Sequence, residues 1–91
     1  MRIEFDSAKA AANLKKHGIP LEAAQSCLFD PMALAREDPD ARGEPRWVLV
    51  GMSQGVGLLT VCYTLRGEDT IRLISARRAT SKEKKDYAQG I

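Results

Sequence analysis

The apolar and polar residues of this chain change rhythm several times, and each change marks an element. Arg2 to Phe5 alternates as a short strand does. Asp6 or Ser7 then offers a side-chain oxygen to the free amides of a helix running from about Ala8 to His17. Its Ala-rich run favours helix strongly, and Gly18 suits the left-handed residue just past a helix end. Lys15, Lys16 and His17 place cations at the negative end of the helix dipole. Ala8, Ala11, Ala12 and Leu14 are expected to supply the packing stripe, with Lys9 and Lys15 in water. Pro20 opens a second helix, Leu21 to about Leu28, in which Leu21, Ala24 and Leu28 share a face until Pro31 forbids its continuation.

Strand rhythm then takes over. Met32 to Ala35 reads as a short strand ahead of the polar loop Arg36 to Pro45, whose Asp-Pro and Gly signals favour turns. Arg46 to Met52 is rich in Trp, Val and Leu, and a loop with Gly55 and Gly57 follows it. In Leu58 to Leu65, the apolar Leu59, Val61, Tyr63 and Leu65 alternate with Thr60, Cys62 and Thr64. The turn Arg66 to Asp69 leads back into Thr70 to Arg77, so an antiparallel meander is the economical topology. Thr80 or Ser81 caps a last helical turn, Lys82 to Tyr87, and Glu83 completes a Thr-x-x-Glu capping box. The fold class expected is α+β, with two N-terminal helices on a mostly antiparallel sheet of about four strands and a short C-terminal helix.

Composition narrows the class. A chain of 91 residues has room for one domain, expected to span residues 1–91, around one modest core. Its hydrophobic fraction of 44% and charged fraction of 29% are those of an ordinary globular protein. No stretch approaches the roughly 18 apolar residues of a membrane span, and the N-terminus alternates instead of opening a secretory signal, so a cytoplasmic protein without a membrane partner is expected. Cys27 and Cys62 lack the spacing of a zinc site and read as buried thiols. There is no Gly-rich phosphate loop, no Ser-His-Asp arrangement and no cluster of metal-binding side chains, so neither metal nor cofactor is expected. The net charge of +2 is small but unevenly spread: Arg72, Arg77, Arg78, Lys82, Lys84 and Lys85 face only Glu83 and Asp86 in the last segment. That end of the chain is where a polyanion would bind.

The order and spacing of several short pieces resemble the BrnT toxin family across nearly the whole chain. They are Phe5-Asp6, the helix ending Asn13-Leu14-Lys15-Lys16-His17-Gly18, Glu22-Ala23-Ala24, Phe29-Asp30-Pro31, Arg46-Trp47-Val48 and Tyr63-Thr64. The run Ile71 to Thr80, with Glu83 and Tyr87, completes the pattern. Pro20-Leu21 departs from it, standing where such proteins often carry a polar residue and Phe. The resemblance implies a RelE-like fold and an endoribonuclease that suppresses translation. It also implies a BrnA-type antitoxin that binds the toxin in a hetero-oligomer and represses their shared promoter, so that operator DNA is met only through the antitoxin.

RNA cleavage without a metal needs a base for the 2′-hydroxyl, a cation for the phosphate and a proton for the 5′-oxygen. The catalytic candidates are His17, Arg66, Arg72, Arg77 and Glu83; those for RNA binding are Lys16, Arg78, Lys82, Lys85 and Tyr87. Arginine suits phosphate because its planar fork donates two parallel hydrogen bonds. On an unbroken strand Arg72 and Arg78 share one face and Arg77 takes the other with Ile71 and Leu73, an answer that a bulge near Ser75 would change. His17, the only histidine, is an acid-base candidate or simply a helix C-terminal cation. Glu83 is a candidate base or only a capping residue, Tyr87 a base-stacking or anchoring side chain, Trp47 a core residue or an exposed stacking ring. The alternative function is a non-catalytic nucleic-acid- or protein-binding module of the same fold. No helix-turn-helix or ribbon-helix-helix pattern supports a DNA-binding role.

Overall fold

The computed structural model describes residues 1–41 and 43–90. In chain order the elements are β1 (Arg2–Glu4), α1 (Ser7–His17), α2 (Leu21–Cys27), β2 (Leu34–Glu37), β3 (Trp47–Ser53), β4 (Gly57–Arg66), β5 (Thr70–Arg78) and α3 (Ser81–Gln89). The strands form one sheet in the order β1-β5-β4-β3-β2, antiparallel except where β1 runs parallel to β5. The architecture is α+β, but the sheet is five-stranded and mixed, where about four mostly antiparallel strands were expected. Three residues of strand cannot announce a partner more than sixty residues away, and only the register Ile3↔Ile71 reveals it.

The helix ends follow local chemistry. Asp6 caps α1 by accepting hydrogen bonds from the amides of Ala8 at 2.7 Å and Lys9 at 3.4 Å. Gly18 ends the helix with φ of 70°, a left-handed conformation that costs glycine little. At α3 both halves of the Thr80–Glu83 capping box are formed.

The packing face of α1 is not the expected stripe. Ala8, Ala11, Ala12 and Leu14 are exposed, while Ala10 packs on the core and Asn13 is buried. A hydrophobicity pattern cannot find such a face, because its central residue is an amide. The Asn13 Nδ2 donates to the carbonyls of Ile19 and Ala76, both at 2.9 Å, and its Oδ1 accepts from the Ala76 amide at 3.1 Å. Asn13 thus imitates a neighbouring strand where β1 has already ended, and satisfies the exposed edge of β5.

The core lies between the helices and one face of the sheet. Ile19 and, from α2, Leu21, Ala24 and Cys27 pack against Leu49, Leu59, Val61, Leu73 and Ala76. Gly51 lets α2 come this close: a Cβ there would lie 2.9 Å from the Cys27 carbonyl oxygen. Trp47 is half-buried opposite Tyr63, at the margin of this core.

The opposite, outer face carries Val48 and Val50 of β3 and Thr60, Cys62 and Thr64 of β4, since alternate residues point to opposite sides. On β5 the alternation is broken. Cys62 pairs with Ser75 but Tyr63 with Leu73, leaving Ile74 as an extra residue. This bulge places Arg72, Ser75 and Arg77 together on the outer face, opposite Thr64, Cys62 and Thr60, while Ile71, Leu73 and Ala76 stay with the core. The unbroken-strand reading, with Arg77 beside Ile71 and Leu73, is corrected by that one residue. Among the described residues no helix is long and apolar enough to cross a membrane.

Candidate functional site

Glu83 is the centre of the most tightly bonded polar cluster on the outer face. Its first-turn position on α3, which the capping box fixes, aims the carboxylate back at the end of β5. Arg77 donates to it through both terminal nitrogens, at 2.8 and 3.0 Å, in a bidentate pair. The Thr80 amide and the Thr60 hydroxyl each donate to Oε1 at 2.8 Å. Three elements therefore meet at one carboxylate.

The electrostatics follow. Hydrogen bonds from Arg77 first, then from Thr80 and Thr60, hold the Glu83 carboxyl down at about 2, against the opposing effect of burial. The same pair raises Arg77 further above its already high value. The Glu83 side chain is 18% exposed and that of Arg77 42%, so the guanidinium is the member an incoming ligand meets.

Beside the pair runs a groove of about 850 Å³ between α3 and the outer face of β2 and β3. Leu34, Val48 and Val50 give it an apolar floor, and Arg36, Lys82 and Glu83 border it. Further along α3, outside the groove's lining, Asp30 accepts through Oδ2 from the Tyr87 hydroxyl at 2.6 Å and from the Met52 amide at 2.8 Å. Those bonds, Tyr87 first, hold the Asp30 carboxyl below the usual carboxylate range. α3 buries no residue completely, and the side-chain hydrogen bonds of Tyr87 and Glu83 fasten it to the body of the protein.

Of the other sequence candidates, Arg72 shares the outer face with Arg77 but turns its guanidinium to Glu4 at 3.4 Å and Asp6 at 3.9 Å. Arg66 pairs with Glu44 at 3.7 Å, at the opposite end of β4 from Thr60 and Arg77. Arg78 lies opposite Leu59 on the core side, exposed at its rim, and donates to the Val56 carbonyl at 3.2 Å. Lys82 borders the groove and pairs with Asp86 at 3.0 Å, while Lys85 is exposed on α3. Lys16 and His17 line a different concavity, where α1 meets Ile74 and Ser75. Arg77 and Glu83 are thus brought together, and His17 stands apart from them.

Thr60, Asp30, Arg36 and Arg46 are not among the site candidates that the sequence suggests. Thr60 was visible as a polar residue alternating within β4, but its carboxylate partner is 23 residues away. Burial pushes the Cys62 thiol up, with the nearby Arg46 charge opposing it, and the Arg46 Nε is buried without a hydrogen-bond partner among the described residues.

The model of one family, the ribonuclease toxin BrnT of type II toxin-antitoxin systems, matches residues 5–83. The fold is similar to the crystal structure of the Brucella abortus ribonuclease toxin BrnT, with a TM-score of 0.67 and 23% sequence identity over 89% of this chain and 99% of that one. No curated protein sequence matches the chain. With the family match reaching from Phe5 on the core side to Glu83 at the centre of the outer-face cluster, the chain belongs to the BrnT family of ribonuclease toxins of type II toxin-antitoxin systems.

Proposed function

We propose that this protein is a metal-independent endoribonuclease that cuts RNA at the Arg77–Glu83 pair, suppresses translation, and is neutralised by a BrnA-type antitoxin. The observation that carries the reading is the bidentate pair itself, a partly exposed guanidinium held by an ionised carboxylate.

The chemistry uses both members. A phosphodiester entering from the outer face competes with Glu83 for the two parallel donors of Arg77, which fit phosphate as well as they fit carboxylate. As Arg77 turns to the phosphate it neutralises the charge that grows there in the transition state. Glu83 loses its strongest restraint in the same movement, so its basicity rises where it is needed. It takes the proton of the 2′-hydroxyl, the 2′-oxygen bonds to phosphorus, and the bond from phosphorus to the 5′-oxygen breaks. The leaving oxygen takes a proton from water, the hydroxide so formed takes the proton that Glu83 gained, and the products carry a 2′,3′-cyclic phosphate and a 5′-hydroxyl. Thr60 and the capping box keep Glu83 in place while Arg77 moves.

Family likeness supports a fold akin to the RelE toxins and operator DNA reached only through the antitoxin in a hetero-oligomer, and the alternating N-terminus supports a cytoplasmic site of action. A second reading, a non-catalytic binding module, is favoured by the saturation of Glu83, since a carboxylate with four donors and a value near 2 is a poor base until one donor leaves. Incubating the purified protein with total RNA in EDTA separates the two. Cleavage leaving cyclic phosphate ends, suppressed by the product of the neighbouring gene, is the expected result; intact RNA with and without ribosomes favours the binding module.

A further inference from the structure

We propose that the notch where α1 crosses the bulged edge of β5 is a second phosphate subsite, one that grips single-stranded RNA beside the Arg77–Glu83 pair without cutting it. The inference rests on the reading of the chain as an RNA-cutting toxin and gives His17 a different task from proton transfer.

The notch, of about 240 Å³, is bordered by Lys9, Lys16 and His17 from α1 and by Ser75 from β5. Lys9 and Lys16 stand two helical turns apart, about 10 Å, with the small Ala12 between them. Two cations flanking an unobstructed strip suit a backbone that runs along it. Ser75 adds a hydroxyl donor.

Two features connect this notch to the reacting pair. Ser75 faces the outer side with Arg77, since the two alternate regularly with Ala76 between them. Two residues along a strand separate them by about 7 Å, close to the spacing of neighbouring phosphates in an extended single strand.

Charge occupancy points the same way. Arg72, Arg77 and Lys82 are each engaged by a carboxylate. Lys9 and Lys16 form no ion pair among the described residues, so their charge is available to a polyanion. The walls are preformed, because Asn13, at the base of the notch, is locked by three hydrogen bonds to Ile19 and Ala76. A site that needs no ordering on binding keeps more of its interaction energy as affinity.

The opposing explanation is that cations in the last turn of α1 only complement its dipole. Lys15 separates the two, since it lies in the same turn, is exposed, and does not border the notch. The test titrates wild type, Lys9→Gln, Lys16→Gln and Lys15→Gln with a short single-stranded RNA methylated at every 2′-oxygen, which binds but cannot be cut, across a range of salt. Lys9→Gln and Lys16→Gln are expected to bind roughly threefold to tenfold more weakly, with the salt slope falling by about 0.7 for each lysine, while Lys15→Gln stays close to wild type. The ring resonances of His17 should move when this RNA is added to wild type. If wild type binds the RNA but the notch variants match Lys15→Gln, or the His17 resonances stay still, the subsite is overturned and the ribonuclease reading survives. If wild type binds no RNA, both fall.

Discussion

Arg72 and Arg77 project from the same face of β5, although an odd spacing of five residues would place them on opposite faces of an unbroken strand. The extra residue Ile74 makes the difference. Each guanidinium is then claimed by a different element: Arg72 by Glu4 and Asp6 at the start of the chain, Arg77 by Glu83 near its end. One bulge thereby builds a cationic face from a strand whose alternation would have split it.

The Arg77–Glu83 pair makes stability depend on acid. Glu83 is held at about 2, below its ordinary value of 4.5, so its contribution is complete above the ordinary value and is lost as pH falls toward 2. The loss should be about 1–2 kcal/mol once solvent around the partly exposed Arg77 is allowed for. Urea unfolding of wild type should show this decline between pH 5 and pH 2. In Glu83→Gln, which keeps an amide able to complete the capping box, the decline attributable to this carboxyl should vanish.

Asn13 should be costly to replace. Asn13→Ala leaves the Ala76 amide and the carbonyls of Ala76 and Ile19 without their partner in a buried setting. A destabilisation of about 2–4 kcal/mol is expected, visible as a lower urea midpoint with an unchanged slope. Asn13→Asp should do no better, since a carboxylate cannot donate to either carbonyl.

Gly51→Ala tests how closely α2 lies on the sheet. The new methyl would meet the Cys27 carbonyl oxygen at 2.9 Å and a Leu49 methyl at 3.0 Å, so helix and strand must separate. Thermal unfolding should report a loss of about 1–3 kcal/mol, the usual cost of overpacking.

Much of the fold was legible in the sequence because it is locally encoded. The caps at Asp6, Gly18 and Thr80, the short helix after Pro20 and the hairpins around Gly55 and Gly67 are all set by neighbouring residues. What escaped depends on distant partners. Asn13 packs as a surrogate strand for Ala76, a role that reads as a polar interruption of an Ala-rich helix. β1 finds its place beside β5 only in three dimensions. The candidate site divides in the same way: Glu83 was singled out by its spacing from Thr80, whereas its contact with Thr60 joins separate elements. Arg77 needed the bulge, a possibility that the alternation of β5 raised without deciding.

Arg77 and Glu83 are proposed to carry out RNA cleavage together. The direct measurement is the single-turnover cleavage rate, in EDTA, of wild type, Arg77→Ala and Glu83→Gln, each first shown to be folded by urea unfolding. Arg77→Ala should lower the rate by about 10²–10³-fold, and Glu83→Gln by at least about 10²-fold although its helix cap survives. Cleavage by folded Glu83→Gln at the wild-type rate would contradict the claim and leave Glu83 as a cap alone.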